Sequence, residues 1–415
     1  MSTDKVFSGL KVLDVGTWIA GPVAGTILAD YGADVIKIER PVEGDQYRIL
    51  SGLPTSPDGV TDYMWQMDGR NKRSIALNIK TDDGIKVLRQ LIAECDVYIT
   101  NQPYSLRRQL GLEFDDVKAI KENVIYASLT AYGEEGPDRE REGFDLVAYW
   151  ARSGLMDLVR DPDGKPAMAL PGMGDHPTAV SLYASIVTAL LHRERTGEGS
   201  MVHTSLLANG IWSASCIAQA GFSGDPNTLN EEGGKLVSYE NYRLLKSKRN
   251  FAATVYETKD QRWFGVTMIR TPEEIESFFD ILGFPDLLND DRFETPESRF
   301  EHSELLSAMA TESIQTRDAQ QWLADFSAAG LNIVLLAKVE ELIDDPMVKC
   351  NNMIVAPTDE SSPMSYVINH PVNVSSLERV GPTRAPDVGE HSEEVLRGLG
   401  YTDDQIEELR AHNII

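Results

Sequence analysis

Cysteine is scarce in this 415-residue chain: Cys95, Cys216 and Cys350 stand far apart, with no C-x-x-C pair. An odd, scattered set argues against a disulfide framework or a zinc site and suits a reducing compartment. No apolar run approaches the ~20 residues of a membrane span. The opening MSTDKVFSGLKV lacks the basic-then-apolar pattern of a secretory signal. The expectation is a soluble, cytoplasmic protein. Basic residues are also in deficit, with 39 Lys and Arg against 65 Asp and Glu, a net charge of −26. That balance argues against a nucleic-acid binder and a polybasic membrane-surface protein. Several chemical signatures are missing too. Gly164-Lys165 is followed by Pro166, so no G-x-x-x-x-G-K-[ST] phosphate loop exists. There is no G-x-S-x-G nucleophile elbow, and the seven histidines are scattered rather than clustered as metal ligands.

What is present is an ordinary globular composition, 42% hydrophobic and 25% charged, on a chain long enough for two domains. The charge is uneven. The first 110 residues hold 13 basic and 14 acidic side chains, so nearly all the acidic excess lies later. That quarter either meets an anionic ligand or is an ordinary solvated domain.

Apolar segments and helical patterns alternate through the first 210 residues. Lys11–Val15, Asp34–Glu39, Ser74–Ile79, Asp96–Thr100 and Val124–Thr130 read as strands. Val23–Tyr31, a segment capped by Thr81, and Asp115–Asn123 read as helices. This order implies an α/β fold with a largely parallel sheet, whose ligands bind beyond the carboxyl ends of its strands. Arg40 and Lys80 fall on that rim. The turn after the first strand, Gly16-Thr17-Trp18-Ile19-Ala20-Gly21-Pro22, fails the G-x-G-x-x-G spacing and weakens a dinucleotide reading. Residues 139–200 look helical, with His176–Arg195 ending at a Gly-containing stop. Residues 222–240 read as a linker or long loop. Short strands (Phe251–Val255, Trp263–Met268) and a helix (Glu273–Leu282) suggest a small α+β domain. Ser392–Leu399 and Thr402–Ala411 are amphipathic helices.

One segment invites chemistry: Pro171-Gly172-Met173-Gly174-Asp175-His176-Pro177. Two glycines let backbone approach a ligand, and a carboxylate follows at a helix mouth. Asp175 could serve simply as the helix N-cap. A carboxylate held by helix amides would also stay ionised, as a nucleophile requires.

With these residues stand others in order. They are Gly9-Leu10-Lys11-Val12-Leu13-Asp14, Ala20-Gly21-Pro22, Leu28 through Pro41, Gly44-Asp45, Asn71-Lys72-Arg73-Ser74-Ile75, Leu110-Gly111-Leu112, Thr196-Gly197-Glu198-Gly199, Asp291-Arg292-Phe293, Gly389-Glu390-His391 and Leu399-Gly400-Tyr401. The set resembles the family III CoA-transferases over nearly the whole chain. The resemblance implies a Rossmann-like large domain with a parallel sheet plus a smaller α+β domain, in an interlocked homodimer. The large domain would be made of 1–224 and 326–415, and the small one of 225–325. It implies transfer of coenzyme A from an acyl-CoA to a free carboxylic acid, with a 2-hydroxy or other small organic acid as acceptor. Asp175 falls on the family nucleophile, which forms a covalent aspartyl intermediate. CoA and acyl-CoA are substrates, with no permanently bound cofactor and no metal. Glycine-rich backbone near Asp175 would offer amides to the oxyanions.

Carried over residue by residue, the CoA contacts are Ile19, Ala20, Arg40, Leu77, Asn78, Lys80, Asn101, Phe144 and Asp145. Gln109 stands where formyl-CoA transferase has a phosphate-binding Arg; Arg107 and Arg108 are adjacent, and Arg108 is taken as the contact. Glu142 stands where that enzyme has Lys, and Ile19 where it has Gln. These departures point away from formyl-CoA and oxalate and leave CoA transfer intact. Racemases of the same family carry His at the position of Phe144, which cannot take a proton. An acyl-CoA racemase or epimerase, or a non-catalytic CoA-binding protein, stays open as an alternative.

Overall fold

A computed structural model describes residues 5–222 and 250–415, apart from 55, 60, 162, 163 and 268. Chain contacts divide the described residues into two compact units. The larger takes those of Met1–Val159, Pro166–Cys216 and Pro346–Ile415; the smaller takes those of Arg160–Lys165 and Ile217–Asp345. The smaller unit is thus wider than the 225–325 read from the sequence. The linker expected over 222–240 lies outside the described residues beyond Phe222, the end of a helix from Ser215.

The larger unit is built on six parallel strands. They are β1 (Lys11–Asp14), β2 (Asp34–Glu39), β3 (Arg73–Ala76), β4 (Val97–Thr100), β5 (Ile125–Thr130) and β6 (Ser200–Ser205), in spatial order β3-β2-β1-β4-β5-β6. This is the doubly wound, Rossmann-like order, in which the direction of strand addition reverses between β1 and β4. β4 is buried along its whole length, as a strand covered on both faces requires.

The helix α1 (Ala20–Asp30) follows β1, and all eleven of its residues are buried. Ala20, Gly21, Ala24, Gly25 and Ala29 keep it slim enough to lie between the sheet and a later helix. Apolar side chains all round, with no charged residue until Asp30, mark it as interior. The helix α2 (Tyr63–Asp68) precedes β3. After β3, the helix α3 (Asp82–Glu94) is capped by the Thr81 hydroxyl, which accepts from the Gly84 amide at 3.1 Å. The region 139–174 corrects the helical expectation: its described residues hold one π-helical turn (Leu146–Ala151), one helical turn (Leu155–Leu158) and irregular backbone. The long helix begins only at Asp175 and runs to Thr196. β6 was not anticipated. Its sequence, SMVHTS, is mostly polar because it closes an edge of the sheet with most of its side chains part-exposed.

The chain beyond residue 346 returns to the opposite edge. The His391 amide donates to the Ser74 carbonyl (2.9 Å), the Ala76 amide to Ser392 Oγ (3.1 Å), and the Asn78 amide to the Ile414 carbonyl (2.7 Å). The first two bonds satisfy backbone groups of β3 that an open sheet edge would leave bare, and the third holds the chain just beyond it.

The smaller unit holds an antiparallel sheet of Thr254–Glu257, Trp263–Val266 and Ile333–Leu335. Its core gathers Phe264, Phe278, Phe279, Trp322 and Phe326 from the sheet and its helices. No helix among the described residues is long and apolar enough to cross a membrane.

Gly84 ties helix packing to the sheet rim, because a Cβ there would lie 2.0 Å from the Asn78 carbonyl oxygen. Alanine normally favours a helix over glycine. Here Gly84→Ala is expected to destabilise by about 1–3 kcal/mol through overpacking. Denaturant melts of the variant and the parent should show it.

Candidate active site

The carboxyl ends of the strands open into one cavity of about 1070 Å³ in the larger unit. That is at the top of the roughly 300–1,000 Å³ usual for small-molecule sites and suits an extended ligand. Ile19, Ala20, Arg40, Leu77, Asn78, Lys80, Asn101, Phe144, Asp145 and Asp175 all line it.

The turn between β1 and α1 forms one wall. Trp18 holds a left-handed backbone (φ 65°), a conformation normally left to glycine. Its amide donates to Asp45 Oδ1 at 3.0 Å, and its ring meets Phe144 edge-on with centroids 5.2 Å apart. Asn101 sits across the reversal point of the sheet. Its side chain accepts from the Thr17 amide and donates to the Thr17 carbonyl, both at 2.8 Å. Asn101 therefore braces the turn as well as lining the cavity. No side chain caps the start of α1, which begins at the cavity wall, and such an uncapped amide end favours an anion.

The basic wall differs in part from expectation. Arg40 and Lys80 are exposed at the rim, and among the described residues no carboxylate pairs with either. Arg108 does not line the cavity: it is solvent-exposed and donates to Glu140 Oε1 at 2.7 Å. Its neighbour Arg107 does line it, but is buried and donates to the Gln102 carbonyl (2.6 Å) and Ser128 Oγ (2.8 Å). Gln109 points outward. Two cations that sequence reasoning missed, Arg139 and Arg141, lie on the wall instead. The Arg139 guanidinium stacks 4.0 Å over the Tyr104 ring. Tyr104 Oη and Gln102 Oε1, also from wall residues, are buried without a partner. Nothing in their spacing flagged these residues, because a loop after β5 and a helix after β4 bring them together.

Asp175 is the first helical residue rather than the cap; that position is taken by Gly174, with no side-chain capping bond. Among the described residues no hydrogen bond engages the Asp175 carboxylate, which faces the cavity free. Burial, then the nearby Asp145 carboxylate, push its pKa up to about 7, with His176 opposing. The expectation of a carboxylate kept ionised by helix amides is thus corrected: loss of water and like charge outweigh the helix end. Asp145 Oδ2 accepts from the Gly174 amide at 3.1 Å, and Oδ1 from the Leu146 amide at 2.7 Å. The Met173 and His176 amides are spent on the Leu170 and Gly172 carbonyls. Three amides expected as oxyanion donors are therefore occupied.

Behind Asp175 stands a second set. His176 Nε2 lies 3.2 Å and 3.3 Å from the two oxygens of Asp68, and its Nδ1 lies 3.0 Å from the Gly172 carbonyl. The Tyr47 hydroxyl donates to Asp68 Oδ2 at 2.6 Å. Burial opposes a charge on the imidazole, but the Asp68 hydrogen bond and charge prevail and lift its pKa to about 9.

The model of "CoA-transferase family III" matches residues 7–392. The (R)-2-hydroxy-4-methylpentanoate CoA-transferase of Clostridioides difficile is 29% identical over 411 residues, 99% of each chain. The cinnamoyl-CoA:phenyllactate CoA-transferase of Clostridium sporogenes is 28% identical, covering 98% of this chain and 96% of that one. A crystal structure of a CAIB/BAIF family protein from Brucella suis superimposes with a TM-score of 0.80 at 26% identity, covering 96% of this chain and all of that one.

A carboxyl that binds its proton more tightly folded (about 7) than unfolded (3.8) costs the fold stability as pH rises between those values. Asp175→Asn should therefore melt at a higher temperature than the parent at about pH 8. The difference should vanish below about pH 4, as thermal melts across pH will show.

Proposed function

The chain belongs to CoA-transferase family III, and from that premise we propose that Asp175 carries the transfer as a covalent nucleophile. The observation behind this reading is a carboxylate without hydrogen-bond partners among the described residues, on the wall of a cavity whose rim cations Arg40 and Lys80 pair with no carboxylate among them. An acyl-CoA would lie with its phosphates toward Arg40, Lys80 and Arg139 and its thioester against Asp175. The carboxylate attacks the thioester carbonyl, forming a mixed anhydride and releasing CoA thiolate. The thiolate attacks the aspartyl carbonyl and frees the donor acid, leaving an aspartyl-CoA thioester. An acceptor carboxylate attacks that thioester, expelling CoA thiolate and forming a second anhydride. The thiolate then attacks the acceptor acyl carbonyl, giving the new acyl-CoA and restoring Asp175. Each step exchanges thioester and anhydride bonds of similar energy.

A 2-hydroxy acid is the acceptor class we favour, supported by the similarity to the hydroxymethylpentanoate and phenyllactate transferases. The wall around Asp175 offers Trp18, Ile19, Phe144 and Leu170 to a nonpolar acyl group. Racemisation is disfavoured because Phe144 cannot exchange a proton and both His176 nitrogens are engaged. The same reading includes an interlocked homodimer working in the cytoplasm, and light scattering that returned a stable monomer would count against the dimer.

Incubation with acyl-CoA and hydroxylamine should convert Asp175 to its hydroxamate, detected by peptide mass spectrometry. Asp175→Ala should lose exchange on the order of a thousandfold or more. Full exchange activity in that variant, with no trapped adduct in the parent, would sink the mechanism.

A further inference from the structure

We infer that His176, clamped between Asp68 and the Gly172 carbonyl, is a positioning residue that fixes the aim of Asp175 and supplies the positive charge its carboxylate lacks elsewhere. The inference rests on Asp175 being the nucleophile.

The geometry is built around the ring. Gly172 has φ 77°, and a Cβ on it would lie 2.9 Å from His176 Cε1 and Nδ1. Only a residue without a side chain leaves the ring that space, and the bond from Nδ1 then holds the loop against the head of the helix. Both ring nitrogens face acceptors: a carbonyl on one side and a buried carboxylate on the other. A ring donating on both sides is an imidazolium. Asp68 is itself fixed by the Tyr47 hydroxyl and is buried, whereas the His176 side chain is 40% exposed.

The charges around this point explain why one is needed. Asp145 and Asp68 both face Asp175 and raise its pKa, from the π-helical turn and from α2. Tyr47 stays neutral, since burial and Asp68 push its hydroxyl far up. Asp30, on the packed helix α1, is consumed by Arg70 and Asn71. Asp45 is bound to Lys37. His176 is the cation adjacent to the nucleophile, and it lowers the pKa of Asp175 while Asp68 keeps it protonated.

The test is the pH profile of kcat/KM with the acyl-CoA and acid pair that exchanges fastest. His176→Asn should move the acidic limb up by about one pH unit, so that the rate at about pH 6 falls roughly tenfold further below the plateau than in the parent. His176→Lys, which restores the cation on a part-exposed side chain, should return the limb toward the parent position. A variant that loses rate equally at every pH, with its limb unmoved, would reduce His176 to a structural part and overturn the inference. Should His176→Asn not fold, ¹⁵N-imidazole labelling of the parent provides an independent readout. One of the seven histidines should still be doubly protonated at about pH 8 and become neutral in Asp68→Asn; seven neutral rings at that pH would overturn it. The labelling result does not depend on activity, and Asp175→Ala separately tests the nucleophile, so either reading can fail alone.

Discussion

The cavity depends on a small group of buried charges beneath the first turn of the sheet. Lys37 has no exposed side-chain surface and lies between Asp45 (2.9 Å) and Asp14 (3.9 Å), while donating to the Gly16 carbonyl. Lys72 bonds Asp14 (3.0 Å) and the Pro22 carbonyl (2.7 Å). An unpaired charge in such a place would cost several kcal/mol, so ions of both signs must be buried together. Burial opposes the Lys37 charge, yet Asp14 and Asp45 hold its pKa above the usual lysine range. Because the lysines also bind carbonyls at both ends of the turn, the ion pairs and the turn require one another. Asp45 completes the link by accepting the Trp18 amide, and this holds a left-handed tryptophan that would otherwise cost about 1–3 kcal/mol.

Asp175 shows the opposite economy. Among the described residues nothing hydrogen-bonds its carboxylate, and a neighbouring anion, Asp145, is occupied in shaping the loop before it. Ionised, the residue costs the fold stability. Asp145 cannot be relocated cheaply, since its two oxygens join the loop before the long helix to the π-helical turn. The same carboxylate therefore organises the loop before Asp175 and raises the pKa of Asp175.

How much of this could be read from the chain follows from range. The runs KVLD, DVIKIE and VYIT are apolar enough to announce strands, and Thr81 and its helix are local chemistry. The edge strand SMVHTS carries too little apolar pattern, and the turns between 139 and 174 obey packing rather than periodicity. In the cavity, Arg40 and Asn101 are legible because each follows directly on a strand, and Lys80 because it lies a few residues past β3. Arg108 is drawn away from the cavity by Glu140, 32 residues along the chain, and Arg139 reaches the wall through Tyr104, across the fold, and neither contact is legible in local spacing. Asp175 was visible as a helix-mouth carboxylate, but its missing hydrogen bonds are a property of the assembled cavity.

The returning C-terminal segment gives the molecule an order in time. Ser74 meets His391 across 317 residues of chain, and Asn78, on the cavity wall, binds Ile414. A ribosome exposes β1 to β4 long before it makes their cover. Until then the outer strand of the newborn sheet lacks these partners. The smaller unit is made in the interval.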